Sequence, residues 1–317
     1  MSNSTFIQGS RTEQAKHSNV LRRSLLILGL SGLVAGLWVG CRTLRNRPDQ
    51  TFEVAFGSKT GARSITVETF LPLRSKQSRE QVPAVVLLHG VEGAKRYAGH
   101  HHATARALAA EGYAVFYVHY FDAVDYADLW HLNANGELNT EEIERWIARD
   151  KEQWIAAVST SLCQIAKRPE VDVEQISLLG YSLGSFISYS VGQVALADPT
   201  IPDIACVVGN WGAKFADLTF TPGYPEALLI HGGADQIVEP RWAQQTAAEL
   251  QAIGTPAKLI LVPAADHPAH SAETWQATLG FLRQKFESIA KRRMTLYPPQ
   301  NCHLAYYPIG FRWPRFP

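Results

Sequence analysis

Residues 175–192, QISLLGYSLGSFISYSVG, join an apolar run to a small-residue, helix-compatible stretch through Gly180-Tyr181-Ser182-Leu183-Gly184. Few folds accommodate such a junction. A strand that turns at once into a helix leaves little room beside the turn, so the flanking positions need residues without side chains. The serine is then held clear of the sheet, and the first N–H groups of the helix aim at whatever it attacks. Ser182 is therefore the candidate nucleophile, in the strand, G-x-S-x-G, helix order of a nucleophile elbow.

The five-residue pattern alone is weak. With glycine and serine at roughly 7% each, a chain this long contains it by accident about one time in ten. Two later segments narrow the reading. Ala227 to Ile230 reads as a buried strand ending in His231-Gly232-Gly233-Ala234-Asp235, and Lys258 to Val262 as another ending in Pro263-Ala264-Ala265-Asp266-His267. A serine hydroxyl needs a base within hydrogen-bond reach and a group that orients the base. His267, one short loop after the last strand, is the candidate base, with His270 as the alternative. Asp235 is the candidate acid, accepting the imidazole N–H and fixing its tautomer. Asp266 is passed over because adjacent side chains rarely face each other; it reads as a turn cap.

These segments, together with LLHGVEG (87–93), EGYAVFYVHY (111–120), GYSLG (180–184) and LLIHGGADQIV (228–238), resemble the dienelactone hydrolase-like branch of the α/β-hydrolases. The resemblance covers roughly Val82 to Ala290, and Ser, Asp, His is the chain order of triads in that fold. It implies an α/β-hydrolase fold: a mostly parallel, doubly wound sheet with helices on both faces. One departure matters. The founding dienelactone hydrolases carry cysteine as nucleophile, and this chain carries Ser182. The lactone substrate is therefore not carried over, and a serine esterase acting on a small ester through an acyl-enzyme, without metal or cofactor, is expected. The competing readings are a peptidase or amidase on the same triad, and a catalytically silent binding protein of the same fold.

The oxyanion hole is expected to combine the N–H of Leu183 with one from the loop His89-Gly90-Val91-Glu92-Gly93, where Val91 is the choice. His89, Tyr181, Trp211 and Trp130 are candidate pocket residues. His100, His101 and His102 suggest a metal cluster at first sight, but consecutive residues on a helix point in three directions, so none is expected there. His89 and His231 read as loop-orienting histidines.

Length and charge bound the rest. The 317 residues suffice for one large domain with extensions, 51–290, and the net charge of +1 conceals +5 on residues 1–50 and +5 on residues 291–317, leaving −9 between them. An acidic body argues against nucleic acid as a partner. Four scattered cysteines imply neither a disulfide framework nor a zinc site. In the leader, Arg22-Arg23 precedes the uncharged apolar run Leu25 to Gly40, followed by Cys41. That segment, about 24–41, is slightly short for a spanning helix and close to a signal h-region. Export or membrane anchoring is expected, with the domain on the extracytoplasmic face; a cytoplasmic-facing anchor is the alternative, since flanking positive charges tie. Residues 120–151, with Trp130 and Trp146, read as an irregular excursion forming a lid or pocket wall. The tail 291–317, basic, aromatic and interrupted by Pro298, Pro299, Pro308 and Pro314, reads as disordered or draped over the surface.

Overall fold

The computed structural model describes residues 46–58, 61–78, 80–121, 140–267 and 271–296. Eight strands form one sheet: β1 (Gln50–Ser58), β2 (Gly61–Phe70), β3 (Val82–Leu88), β4 (Ala114–Val118), β5 (Val171–Tyr181), β6 (Cys206–Asn210), β7 (Glu226–Gly232) and β8 (Ala257–Val262). Their spatial order is β1-β2-β4-β3-β5-β6-β7-β8. The alternation in TFEVAFG (51–57) and RSITVETFL (63–71) predicts an antiparallel pair at the sheet edge, and β1 and β2 form that hairpin; β2 also runs antiparallel to β4. All other neighbours are parallel.

The helices are α1 (Leu73–Ser78), α2 (Gly93–Arg96), α3 (Ala98–Ala110), α4 (Thr140–Ile165), α5 (Leu183–Ala197), α6 (Pro240–Ala252) and α7 (Ala272–Leu296). Alternate residues of the central strands feed two cores. Val86, Leu88, Phe116 and Leu178 pack with Trp154, Val158 and Leu162 of α4, Ile187 of α5 and Leu250 of α6. Val85, Leu87, Val115 and Leu179 pack on the opposite face with Ala105 and Leu108 of α3 and Leu282 and Phe286 of α7. Strands covered on both faces need apolar residues at every position, which is why β3 and β4 read as unbroken hydrophobic runs. The chain leaves β3 for β4 on one side and returns to β5 on the other. The crevice at the carboxyl ends of β3 and β5 is thus the place where the winding reverses and where ligands bind in such sheets.

Three sequence expectations change. Residues 74–81, whose charged and polar sequence RSKQSREQ predicts a solvated loop, include most of helix α1, where buried Ser75 donates to the carbonyl of Pro72 at 3.2 Å. Residues 140–151, read as part of an irregular excursion, are the first turns of α4. Trp146 is buried there with its ring 4.6 Å from Trp154, two turns further on, so a shared apolar stripe makes one helix of two segments. At the other end, α7 continues past Ala290 to Leu296. Arg293 holds that extension against β5 through Asp172 at 2.9 Å and Glu174 at 2.5 Å. The apolar leader segment, residues 122–139 with Trp130, and the tail from residue 297 lie outside the described residues. Among the described residues, no helix is long and apolar enough to cross a membrane.

An ionic contact ties α3 to the sheet. Glu68 of β2 accepts from His102 Nε2 at 2.6 Å and faces His119 Nε2 at 3.5 Å. Burial opposes ionisation of this carboxyl, but the hydrogen bond from His102 and the close approach of His119 outweigh it and hold its pKa down at about 2. A carboxylate depressed in the folded state stabilises above its unfolded pKa, and that contribution disappears as pH falls through the folded value. Glu68→Gln is therefore expected to lower Tm by about 2–4 °C at pH 7. The difference from the parent should shrink between about pH 4.5 and pH 2 in a thermal-melt series, and a constant offset across that range would contradict the linkage.

Candidate active site

The turn after β5 carries Ser182 at φ 51°, ψ −118°, a backbone region that non-glycine residues seldom occupy. The strain is held by its neighbours. Ser182 N–H donates to the carbonyl of Asn210 on β6 at 2.8 Å, and the Ser185 hydroxyl reaches the carbonyls of Gly180 and Asn210, each at 2.9 Å. The two glycines of the motif are close-approach positions. A Cβ at Gly184 would lie 2.5 Å from the carbonyl oxygens of Leu88 and His89, and one at Gly180 would lie 2.2 Å from the carbonyl of Gly184. Any side chain there would drive α5 off β3 and β5.

Asp235 and His267 follow β7 and β8, and the two loops are laced together. Gly233 N–H donates to Val262 O at 2.8 Å and Ala234 N–H to Ala265 O at 2.9 Å. His267 Nδ1 stands 2.8 Å from Asp235 Oδ2, and its Nε2 stands 3.1 Å from Ser182 Oγ. Three side chains far apart in sequence thus form one hydrogen-bonded line at the carboxyl edge of the sheet. His267 is partly exposed, whereas the Asp235 carboxylate is fully enclosed. His270, the alternative base, lies outside the described residues. Asp266 takes no part in the line; its Oδ1 accepts the backbone N–H of His267 at 2.8 Å and of Gln236 at 3.3 Å, the turn-capping role expected of it.

The electrostatics suit a histidine base. Burial works against ionising Asp235, yet hydrogen bonds from His231, His267 and the Val238 N–H hold its carboxyl well below the usual carboxylate range. An ionised Oδ2 keeps a proton on His267 Nδ1, which leaves Nε2 with a free lone pair directed at the serine hydroxyl.

Leu183 is the first residue of α5, where N–H groups have no partner within the helix. Across the crevice, the loop after β3 is a tight turn closed by Gly93 N–H to Gly90 O at 3.2 Å, with Gly93 at φ +77°. Val91 sits partly buried on this turn. His89 is buried beneath it, donating from Nδ1 to Gly90 O at 2.9 Å and stacking on Tyr120 at 4.2 Å, while the Tyr120 hydroxyl donates to His89 O at 2.8 Å. That is the loop-orienting role expected for His89. Two residues that sequence reasoning did not assign complete the turn: Glu92 Oε1 accepts the Gly90 N–H at 3.2 Å and His101 Nε2 at 3.4 Å. Only the short spacing of Gly90 and Glu92 hinted at such a fold-back.

Tyr181 and Trp211 flank the elbow on its other side, with ring centroids 5.1 Å apart and the Trp211 ring 5.9 Å from His267. Trp211 has φ 55°, a second strained residue at the carboxyl edge, and burial pushes the Tyr181 phenol up to about 12, so it stays neutral. The triple histidine splits as expected: His101 turns to Glu92, His102 to Glu68, and the His100 ring lies 6.2 Å from that of Tyr181.

The sequence model of the dienelactone hydrolase family matches residues 68–284 of this chain. No curated protein matches the sequence. Among solved structures, a dienelactone hydrolase-like promiscuous phosphotriesterase from metagenomic libraries aligns with TM-score 0.57 at 15% identity, covering 74% of this chain and 98% of its own. An esterase of the fungus Rhizomucor miehei aligns with TM-score 0.54 at 17% identity, covering 78% and 86% respectively. A hyperthermophilic esterase from the archaeon Pyrobaculum calidifontis aligns with TM-score 0.53 at 15% identity, covering 86% and 98%. At such identities these likenesses show the α/β-hydrolase fold alone. The family match spans more than half of the chain and takes in all three residues of the hydrogen-bonded line, so the protein belongs to the dienelactone hydrolase family of α/β-hydrolases.

Proposed function

We propose that this protein is a serine carboxylesterase that cleaves a small ester through an acyl-enzyme, with Ser182 as nucleophile, His267 as base and then acid, and Asp235 as the orienting carboxylate. The observation that carries the reading is the continuous path from Ser182 Oγ to His267 Nε2 at 3.1 Å and from His267 Nδ1 to Asp235 Oδ2 at 2.8 Å. In acylation the Ser182 proton passes to His267 Nε2 as Oγ bonds to the ester carbonyl carbon. The carbonyl oxygen becomes an oxyanion, received by the N–H groups of Leu183 and Val91. Collapse breaks the bond to the alcohol oxygen, which takes the proton from His267. Water then repeats the sequence on the acyl-enzyme, giving its proton to His267 and releasing the acid. Each removed oxyanion donor is worth about 2.7–4 kcal/mol of transition-state stabilisation.

Tyr181 and Trp211 are assigned to the pocket wall beside the elbow, and the apolar leader to export or membrane anchoring of the domain. A fluorophosphonate probe should label the full chain stoichiometrically, and peptide mass spectrometry should find the adduct on Ser182. An adduct on any other residue, or no adduct with folded protein, would remove the serine-hydrolase reading. Matched p-nitrophenyl ester and p-nitroanilide substrates separate esterase from amidase, with the ester expected to turn over at least about 100-fold faster, since its leaving group needs less protonation by His267.

A further inference from the structure

The proposed mechanism makes no use of His231, yet this histidine is fully buried and touches the acid of the triad. It lies near the carboxyl end of β7, with Nε2 2.7 Å from the carbonyl of Val238 and 3.2 Å from Asp235 Oδ2. A carbonyl oxygen only accepts, so Nε2 carries the proton. Nδ1 is buried without a hydrogen-bond partner, so a proton there would have no acceptor. One N–H therefore donates to the Val238 carbonyl and stands against the Asp235 carboxylate.

Asp235 is correspondingly crowded with donors. Its Oδ1 accepts the backbone N–H groups of Ile237 and Val238, both at 2.9 Å, which fixes the carboxylate plane against its own loop. Its Oδ2 accepts from His267 at 2.8 Å and lies 3.2 Å from His231 Nε2. The oxygen that faces the base is thus the one His231 also reaches.

We propose that His231 is a positioning residue of the triad: its Nε2–H holds Asp235 Oδ2 in line with His267 and takes up part of the charge that Oδ2 would otherwise present to the imidazolium. A carboxylate oxygen shared between two donors is a weaker acceptor for each, so the imidazolium of His267 is stabilised less than by an unshared partner. Removing the His231 donor is therefore expected to strengthen the hold of Oδ2 on that imidazolium. The surrounding groups leave this role to His231. Asp266 has its Oδ1 occupied by two backbone N–H groups, and the Glu239 carboxylate ahead of α6 is paired with Arg241. The neighbouring strands set uncharged Asn210 and Leu261 beside this end of β7, and the elbow contributes only the neutral hydroxyl of Ser182.

The inference rests on the triad reading above, and its test has a readout that does not need turnover. His231→Leu, which removes the donor, is expected to move the acid limb of the kcat/KM profile upward by about half a pH unit and to lower kcat by about tenfold. His231→Gln, which can return an N–H near the same point, should bring the limb back to its original position. A packing role alone would lower Tm in His231→Leu and leave the limb where it was, and that result would overturn the proposal, as would equal shifts in both variants. Nitrogen-15 NMR of the full-length parent protein supplies the independent measurement, even should the leucine variant fail to fold. The neutral ring of His231 should carry its proton on Nε2, and finding the Nδ1–H tautomer sinks the idea. Failure of the esterase reading would show instead as undiminished turnover in Ser182→Ala, which leaves the tautomer measurement untouched.

Discussion

Ser182→Ala is expected to reduce kcat for p-nitrophenyl acetate by about 10⁴-fold or more while leaving the far-ultraviolet circular dichroism and Tm nearly unchanged. The size follows from the chemistry. Without Oγ there is no acyl-enzyme, and the only remaining acceleration comes from binding and from oxyanion donors acting on direct attack by water. The small structural effect follows from the surroundings: the elbow is held by the backbone of Ser182 and by the Ser185 hydroxyl, not by Oγ. Alanine at φ 51° is strained to much the same degree as serine, so the turn persists. Activity within tenfold of the parent would mean that another residue performs the attack.

Asp235→Asn should lower kcat by about 10⁴-fold, and for a different reason. The amide can turn its NH₂ towards His267 Nδ1 and force the proton onto Nε2, where it faces the Ser182 hydroxyl and cannot take its proton. The same change disturbs the loop, because Oδ1 accepts from Ile237 and Val238 and Oδ2 from both His231 and His267. Labelling by a fluorophosphonate should slow in parallel with ester turnover, since both need a deprotonated Oγ. A variant that loses ester turnover but labels at the parental rate would show that Asp235 acts on the substrate and not on the histidine. These two substitutions test different links of one line, and their effects should not add: the double variant is expected near the level of Ser182→Ala.

Short-range patterns were enough to pick out Ser182, Asp235 and His267, the three side chains that form the hydrogen-bonded line. Gly180 and Gly184 are demanded by backbone contacts within the strand-turn-helix unit and its nearest strand, and the apolar runs that end β3, β5, β7 and β8 mark strands whose carboxyl ends share an edge. Asp235 and His267 sit one loop beyond such strands, so sequence spacing alone brings them to the same rim. Longer-range features were not legible. The charged residues between Thr140 and Lys151 conceal a helix that becomes visible only when Trp146 meets Trp154. The last helix runs past Ala290 because Arg293 finds Asp172 and Glu174 on a strand more than a hundred residues earlier, a pairing that no local period announces.

The amino-acid order by itself determined which residues could react, since a glycine-flanked serine, a loop aspartate and a loop histidine are chemical types at positions set by local backbone geometry. Which groups meet around those three side chains was decided by the tertiary structure. His231 and His267 meet on one carboxylate oxygen because β7 and β8 lie side by side and their loops are hydrogen-bonded to each other. Glu92 folds onto Gly90 with His101 behind it because α3 packs where the turn after β3 ends. Hydrogen-bond sharing of this kind depends on distances of a few tenths of an ångström between segments distant in the chain, which a one-dimensional pattern does not encode.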